Sequence, residues 1–156
     1  MQTLEAEKNS LRERLKSSLH FHDMFEQFVY LVETYGIQQL QEAIENDGPL
    51  LRLAVMYDNI KVVDCILQTG IDVHVSNGEI SPLFVVESVA MTKLLLDAGI
   101  DKSIRRFRCG GEYYQTAEEY NRLMAVVRPV KQQEFEDIAN LIRDYVPEPG
   151  TEYVLK

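Results

Sequence analysis

Two stretches of this chain repeat one another, and that repetition restricts its fold more than any single residue does. Val62-Val63-Asp64-Cys65-Ile66-Leu67-Gln68-Thr69-Gly70-Ile71-Asp72 is echoed by Met91-Thr92-Lys93-Leu94-Leu95-Leu96-Asp97-Ala98-Gly99-Ile100-Asp101. Pro49-Leu50 and Pro82-Leu83 stand 33 residues apart. Self-similarity at this period marks stacked supersecondary units, none of which can bury its apolar face alone.

The unit is a pair of short helices. Phe25, Phe28, Val29, Leu31 and Val32 have helical spacing, and Tyr35-Gly36 interrupts them. Ile37, Leu40, Ala43 and Ile44 give a second helix, ended by Asn46-Asp47-Gly48-Pro49. The pattern recurs with a helix over Leu50 to Met56, a turn at Tyr57-Asp58-Asn59 and a helix over Ile60 to Gln68. Gly70 suits the left-handed position after a helix end. Asn77-Gly78 signals a chain reversal. Pro82 fits the first turn of another helix, and the helix after it runs to Leu96.

The residues that carry these signals resemble the ankyrin-repeat family. That family has a Thr-Pro-Leu helix start and a Leu-Leu-x-x-Gly-Ala-Asp helix end. Ser81-Pro82-Leu83 and Leu95-Leu96-Asp97-Ala98-Gly99-Ile100-Asp101 are similar to both, and Ile66 and Leu67 fill the paired-leucine positions one repeat earlier. Thr116-Ala117-Glu118-Glu119-Tyr120 with Ile138-Ala139-Asn140-Leu141-Ile142 looks like a terminal repeat. The resemblance covers about four repeats from Met24 to Tyr145, the outer two degenerate as caps are. It implies an all-α solenoid, residues 24–145, between an N-terminal helical arm (1–23) and a C-terminal tail (146–156). Three departures stand out. The repeat at Ser81 is about three residues short between its helices, the loop from Lys102 to Gln115 is long, and an insertion of about nine residues lies around Ala125 to Gln133.

The resemblance implies recognition of a protein partner by a concave face built from first helices and finger loops. Arg52, Met56, Tyr57, Ser76 and Asn77 occupy such positions, and His74 stands where the family usually has Asn. Lys102, Arg105, Arg106, Phe107 and Arg108 form the one basic island, with no acid between Lys102 and Glu112. Arginines there suit bidentate contact with carboxylates or phosphate, and Phe107 suits an interface anchor. An alternative function, a small anion-binding sensor or enzyme, would be built around this same loop.

The net charge of −9 argues against sequence-independent nucleic-acid binding, which depends on cations at phosphates. It favours a basic or nucleic-acid-binding protein as partner, by long-range steering. An inhibitor, an immunity-type protein or an adaptor fits that expectation. Catalytic patterns are missing from the sequence: it has no phosphate-cradling Gly-rich loop, no Cys-x-x-Cys, no His-Glu-x-x-His and no Gly-x-Ser-x-Gly. The expectation is therefore a non-enzymatic module without a cofactor. His20, His22 and Asp23 make a poor metal set, since neighbours two apart do not share a helix face. The polar start, Met1 to Lys16, lacks the apolar run of a signal peptide, so a cytoplasmic location is expected. Cys65 is expected in the core and Cys109 in an exposed loop.

Leu4, Leu11, Leu15 and Leu19 form a narrow stripe along an N-terminal helix over Thr3 to Phe21. It could cover the end of the domain, lie on a partner, or pair with its own copy, a homodimer through residues 1–24.

Overall fold

The computed structural model describes residues 4–71, 81–103, 105–107 and 114–146. These are mostly helical, and the chain divides into two compact units, Met1–Asp72 and Val73–Lys156. The division falls inside the 24–145 span, and the segment set apart as an arm belongs to the first unit.

The first unit opens with α1 (Leu4–His20), continues after a single 3-10 turn into α2 (Phe25–Tyr35) and α3 (Ile37–Ala43), and closes with α4 (Leu50–Met56) and α5 (Ile60–Gln68). Ser10 lies inside α1. Leu11, Leu15 and Leu19 recur every four residues and are buried, Leu15 and Leu19 completely. They pack α1 against α2, α3 and α4. Each fully buried leucine contributes about 1.5–3 kcal/mol of apolar transfer energy. Leu11, Leu15 and Leu19 are thus covered inside their own unit.

Polar groups fix α1 in register. Arg12 grips Asp47 with two hydrogen bonds, Nε to Oδ2 at 2.7 Å and Nη2 to Oδ1 at 2.9 Å, and Lys16 stands 3.5 Å from the same carboxylate. Between α2 and α3, Gly36 takes φ +81°, which lets its N–H donate to the Val32 carbonyl at 2.8 Å. The Gln41 side chain accepts from the Leu50 N–H at 2.9 Å, anchoring the start of α4.

Among the described residues of the second unit, the first element is a 3-10 turn, Pro82–Phe84, where the sequence suggests the first helix of a repeat. The backbone leaves the helical region directly after it. Val85 takes φ −121°, ψ 11°. Ser88 is extended (φ −144°, ψ 155°) and caps the next helix, accepting from the Met91 N–H at 3.1 Å. That helix is α6 (Val89–Asp97). The finger region is an antiparallel pair, β1 (Arg105–Phe107) and β2 (Tyr114–Thr116), with Arg106 opposite Gln115. It is a small exception to an all-helical expectation. Thr116 and Glu119 form a reciprocal capping box at the start of α7 (Ala117–Val127). A 3-10 turn at Pro129–Lys131 leads into α8 (Gln132–Asp144), which packs along α7 through Phe135, Ile138, Ala139 and Ile142. The insertion expected around Ala125 to Gln133 is the end of α7 and this turn.

Candidate surface for partner recognition

The structure brings together residues from two places in the first unit that are more than thirty positions apart in sequence. The end of α1 and its junction with α2 supply His20, Phe21 and His22, and the end of α4 and its C-cap supply Met56 and Tyr57. The His20 ring meets Phe21 edge-on at 4.8 Å and Tyr57 edge-on at 4.9 Å, with interplanar angles of 83° and 87°. His22 donates from Nε2 to the Tyr57 carbonyl at 2.8 Å.

Beneath this surface sits Asn59, 2% exposed. Its amide donates to the carbonyls of Leu19 (3.0 Å) and Ser18 (3.4 Å), which helix geometry leaves open at the end of α1. Its side-chain oxygen caps α5 by accepting from the Val62 N–H at 3.4 Å. One buried side chain thus joins the end of α1 to the start of α5, and the aromatic groups above inherit a fixed framework. Phe21 remains 51% exposed and Met56 45% exposed. The result is a preorganised aromatic and thioether surface, the residue chemistry of interface hot spots. It offers apolar contact and hydrogen bonding but no nucleophile paired with a base.

Arg52 is half-buried on α4, with its guanidinium over Gly48. Ser76, Asn77 and Arg108 lie outside the described residues, as do His74 and Cys109. So do the side chains of Arg105, Arg106 and Phe107, whose backbone forms β1. Lys102 is held within its own unit. Its ammonium donates to the carbonyls of Ile142 (2.8 Å), Tyr145 (2.9 Å) and Arg143 (3.2 Å), the open end of α8. A lysine there also complements the negative end of the helix dipole. The basic run therefore contains at least one cation with a structural duty, which its composition does not reveal.

His20, Phe21 and His22 are the part of this surface that sequence reasoning missed as a contact surface. No linear spacing links them to Met56 and Tyr57. The available signal was the combination of a phenylalanine at a helix end with a leucine stripe that requires a cover. Cys65, expected in the core, is half-buried, and burial pushes its thiol up. The acidic pairs on α7 and α8 are engaged locally. Glu118 pairs with Arg122, Glu119 completes the capping box, and Glu136 and Asp137 accept from Gln132 and Gln133. Among the described residues no three of His, Cys, Asp and Glu gather as a metal site would need, and no helix is long and apolar enough to cross a membrane. No family model, curated protein or solved structure matches this chain.

Proposed function

We propose that this chain is a non-enzymatic binding module of the ankyrin-repeat type, acting as an inhibitor, immunity-type protein or adaptor that engages a protein partner. The observation that carries the proposal is the fixed ring group of His20, Phe21 and Tyr57, with Met56 exposed at the adjoining end of α4. Met56 and Tyr57 stand where the resemblance puts ligand-facing positions. Paired helices joined by a tight turn, as in α4 and α5, and the glycine after α5 at φ +82° are what that family's repeat requires. Rigid anchors reduce the ordering entropy lost on binding. The net charge of −9 favours a basic partner.

The alternative built on Lys102 to Arg108 as an anion site has less support, because Lys102 is already bonded to three carbonyls. The test is affinity capture from native lysate with tagged wild type, with Phe21→Ser/Met56→Ser and with Arg105→Glu/Arg106→Glu. A stoichiometric protein captured by wild type and lost with the first variant supports the proposal. A partner lost only with the second variant moves the interface to the finger. Capture of no protein, with a bound small anion instead, refutes the binding-module proposal in favour of the sensor.

A further inference from the structure

Cations already sit on aromatic rings in the first unit. The Lys61 ammonium lies 6.0 Å from the centroid of the Phe25 ring, and the Arg14 guanidinium lies 5.9 Å from that of Tyr30. Among the described residues no cation covers Phe21 or Tyr57 in this way. Both of those rings stand nearly perpendicular to His20, and Phe21 stays 51% exposed. An aromatic face attracts a cation through its quadrupole. A guanidinium, planar and weakly hydrated, stacks on such a face more readily than an ammonium does.

Local charge identifies the kind of group that completes this surface. The two segments that build it, residues 17–27 and 53–65, hold Asp23, Glu26, Asp58 and Asp64 against a single lysine, Lys61, besides His20 and His22. That lysine is the one over Phe25. Just outside the segments, Lys16 stands 3.5 Å from Asp47 and the Arg52 guanidinium lies over Gly48. Carboxylates therefore outnumber cations around Phe21. Asp23 is exposed and lies in the 3-10 turn (His22–Met24) that follows Phe21. Its carboxylate has no hydrogen bond or ion pair among the described residues. The bond from His22 to the Tyr57 carbonyl, at 2.8 Å, ties that turn to the end of α4. We infer that Phe21 and Asp23 together receive an arginine side chain of the partner, its guanidinium stacked on the Phe21 ring and paired with the Asp23 carboxylate. The inference rests on the reading of this surface as a partner site and adds what the partner presents there, an exposed basic segment carrying arginine. Nucleic acid or an acidic lipid surface would meet the same carboxylates with repulsion.

The probe is the peptide acetyl-Gly-Arg-Gly-Arg-Gly-amide, with acetyl-Gly-Lys-Gly-Lys-Gly-amide as its equal in charge. Each is titrated into the full chain at about 0.15 M salt, where diffuse attraction to the acidic surface is screened beyond about 8 Å. NMR of the ring protons of His20, Phe21 and Tyr57 reads the contact. The arginine peptide should shift these rings saturably, with a dissociation constant on the order of 1 mM. The lysine peptide should bind about twofold or more weakly than that. Phe21→Leu keeps an apolar side chain and removes the ring, and Asp23→Asn keeps the shape and removes the charge. Each should weaken binding of the arginine peptide about threefold, read in the first variant on His20 and Tyr57. Both positions are exposed, unchanged melting confirms folding, and the comparison of the two peptides on wild type needs no variant. Equal binding of the two peptides overturns the inference, as do ring shifts that never saturate or an affinity that either variant leaves unchanged. Capture from native lysate separates the inference from the reading beneath it. A partner held less tightly by both Phe21→Leu and Asp23→Asn supports the arginine contact. A partner that both hold at full strength, and that Phe21→Ser/Met56→Ser loses, overturns the arginine contact and leaves the binding module standing.

Discussion

Asn59 shows how much one buried polar side chain can hold. Its amide serves the last carbonyls of α1 while its oxygen serves the first turn of α5. Asn59→Ala removes the cap and leaves the Leu19 carbonyl buried without that donor. Leaving a buried group in that state costs about 1–3 kcal/mol, and losing a cap about 1 kcal/mol. Urea unfolding should show a lower midpoint by an amount in that range, and Asn59→Asp should recover only the cap. Asp47 makes a second prediction. Its hydrogen bonds from Arg12, with the charge of Lys16 adding to them against an opposing burial effect, hold its carboxyl below the ordinary 3.8. A lowered folded value means stability that is full above 3.8 and lost as pH falls through the folded value. Wild type should therefore exceed Asp47→Asn in stability at pH 7, and the gap should close as the pH is taken below 3.8. A gap that persists in acid would show that Asp47 acts through shape and not through charge. Glu87 follows the same logic. Burial pushes it up, but Lys131 and Arg128 together outweigh burial and bring it below its ordinary value.

At the scale of elements, much of the first unit is legible in the sequence. The helices α4 and α5 run over the residues their apolar spacing indicates, because Pro49, Asn59 and Gly70 punctuate them. The short repeat at Ser81 is less legible. Its Ser-Pro-Leu start reads as a helix, but Val85, outside the helical region, and the extended Ser88 leave room for only one 3-10 turn. The finger strands are not legible either, since Arg105-Arg106-Phe107 has no alternation to announce β structure. The contact surface is hidden for a different reason. His20 and Tyr57 meet through α1 packing, and nothing local to either residue encodes that meeting. The turn between α3 and α4 yields an element-scale test. Gly48 has φ +123°, and an added Cβ would collide with the Arg52 guanidinium. Gly48→Ala should cost about 1–3 kcal/mol by thermal or urea unfolding. Gly48→Ala combined with Arg52→Ala should recover the steric part and not the backbone part.

At the scale of the whole molecule, charge is the property that every partner meets first. A chain of net charge −9 should associate with a basic protein quickly at low salt and more slowly as salt shortens the screening length to about 8 Å at 0.15 M. Association rates for a captured partner should therefore fall with added NaCl, while dissociation, governed by the anchors at Phe21 and Met56, should change little. A partner whose association rate ignores salt would contradict steering. The central claim is that the surface of His20, Phe21, Met56 and Tyr57 is where a protein partner sits. Its most direct test is photo-crosslinking in native lysate with benzoylphenylalanine at Phe21, compared with the same probe at Glu33, an exposed position on α2. A single protein adduct of defined mass from position 21, absent from position 33, is the predicted result. Adducts equal at both positions, or none from position 21 while a partner is captured, would contradict it.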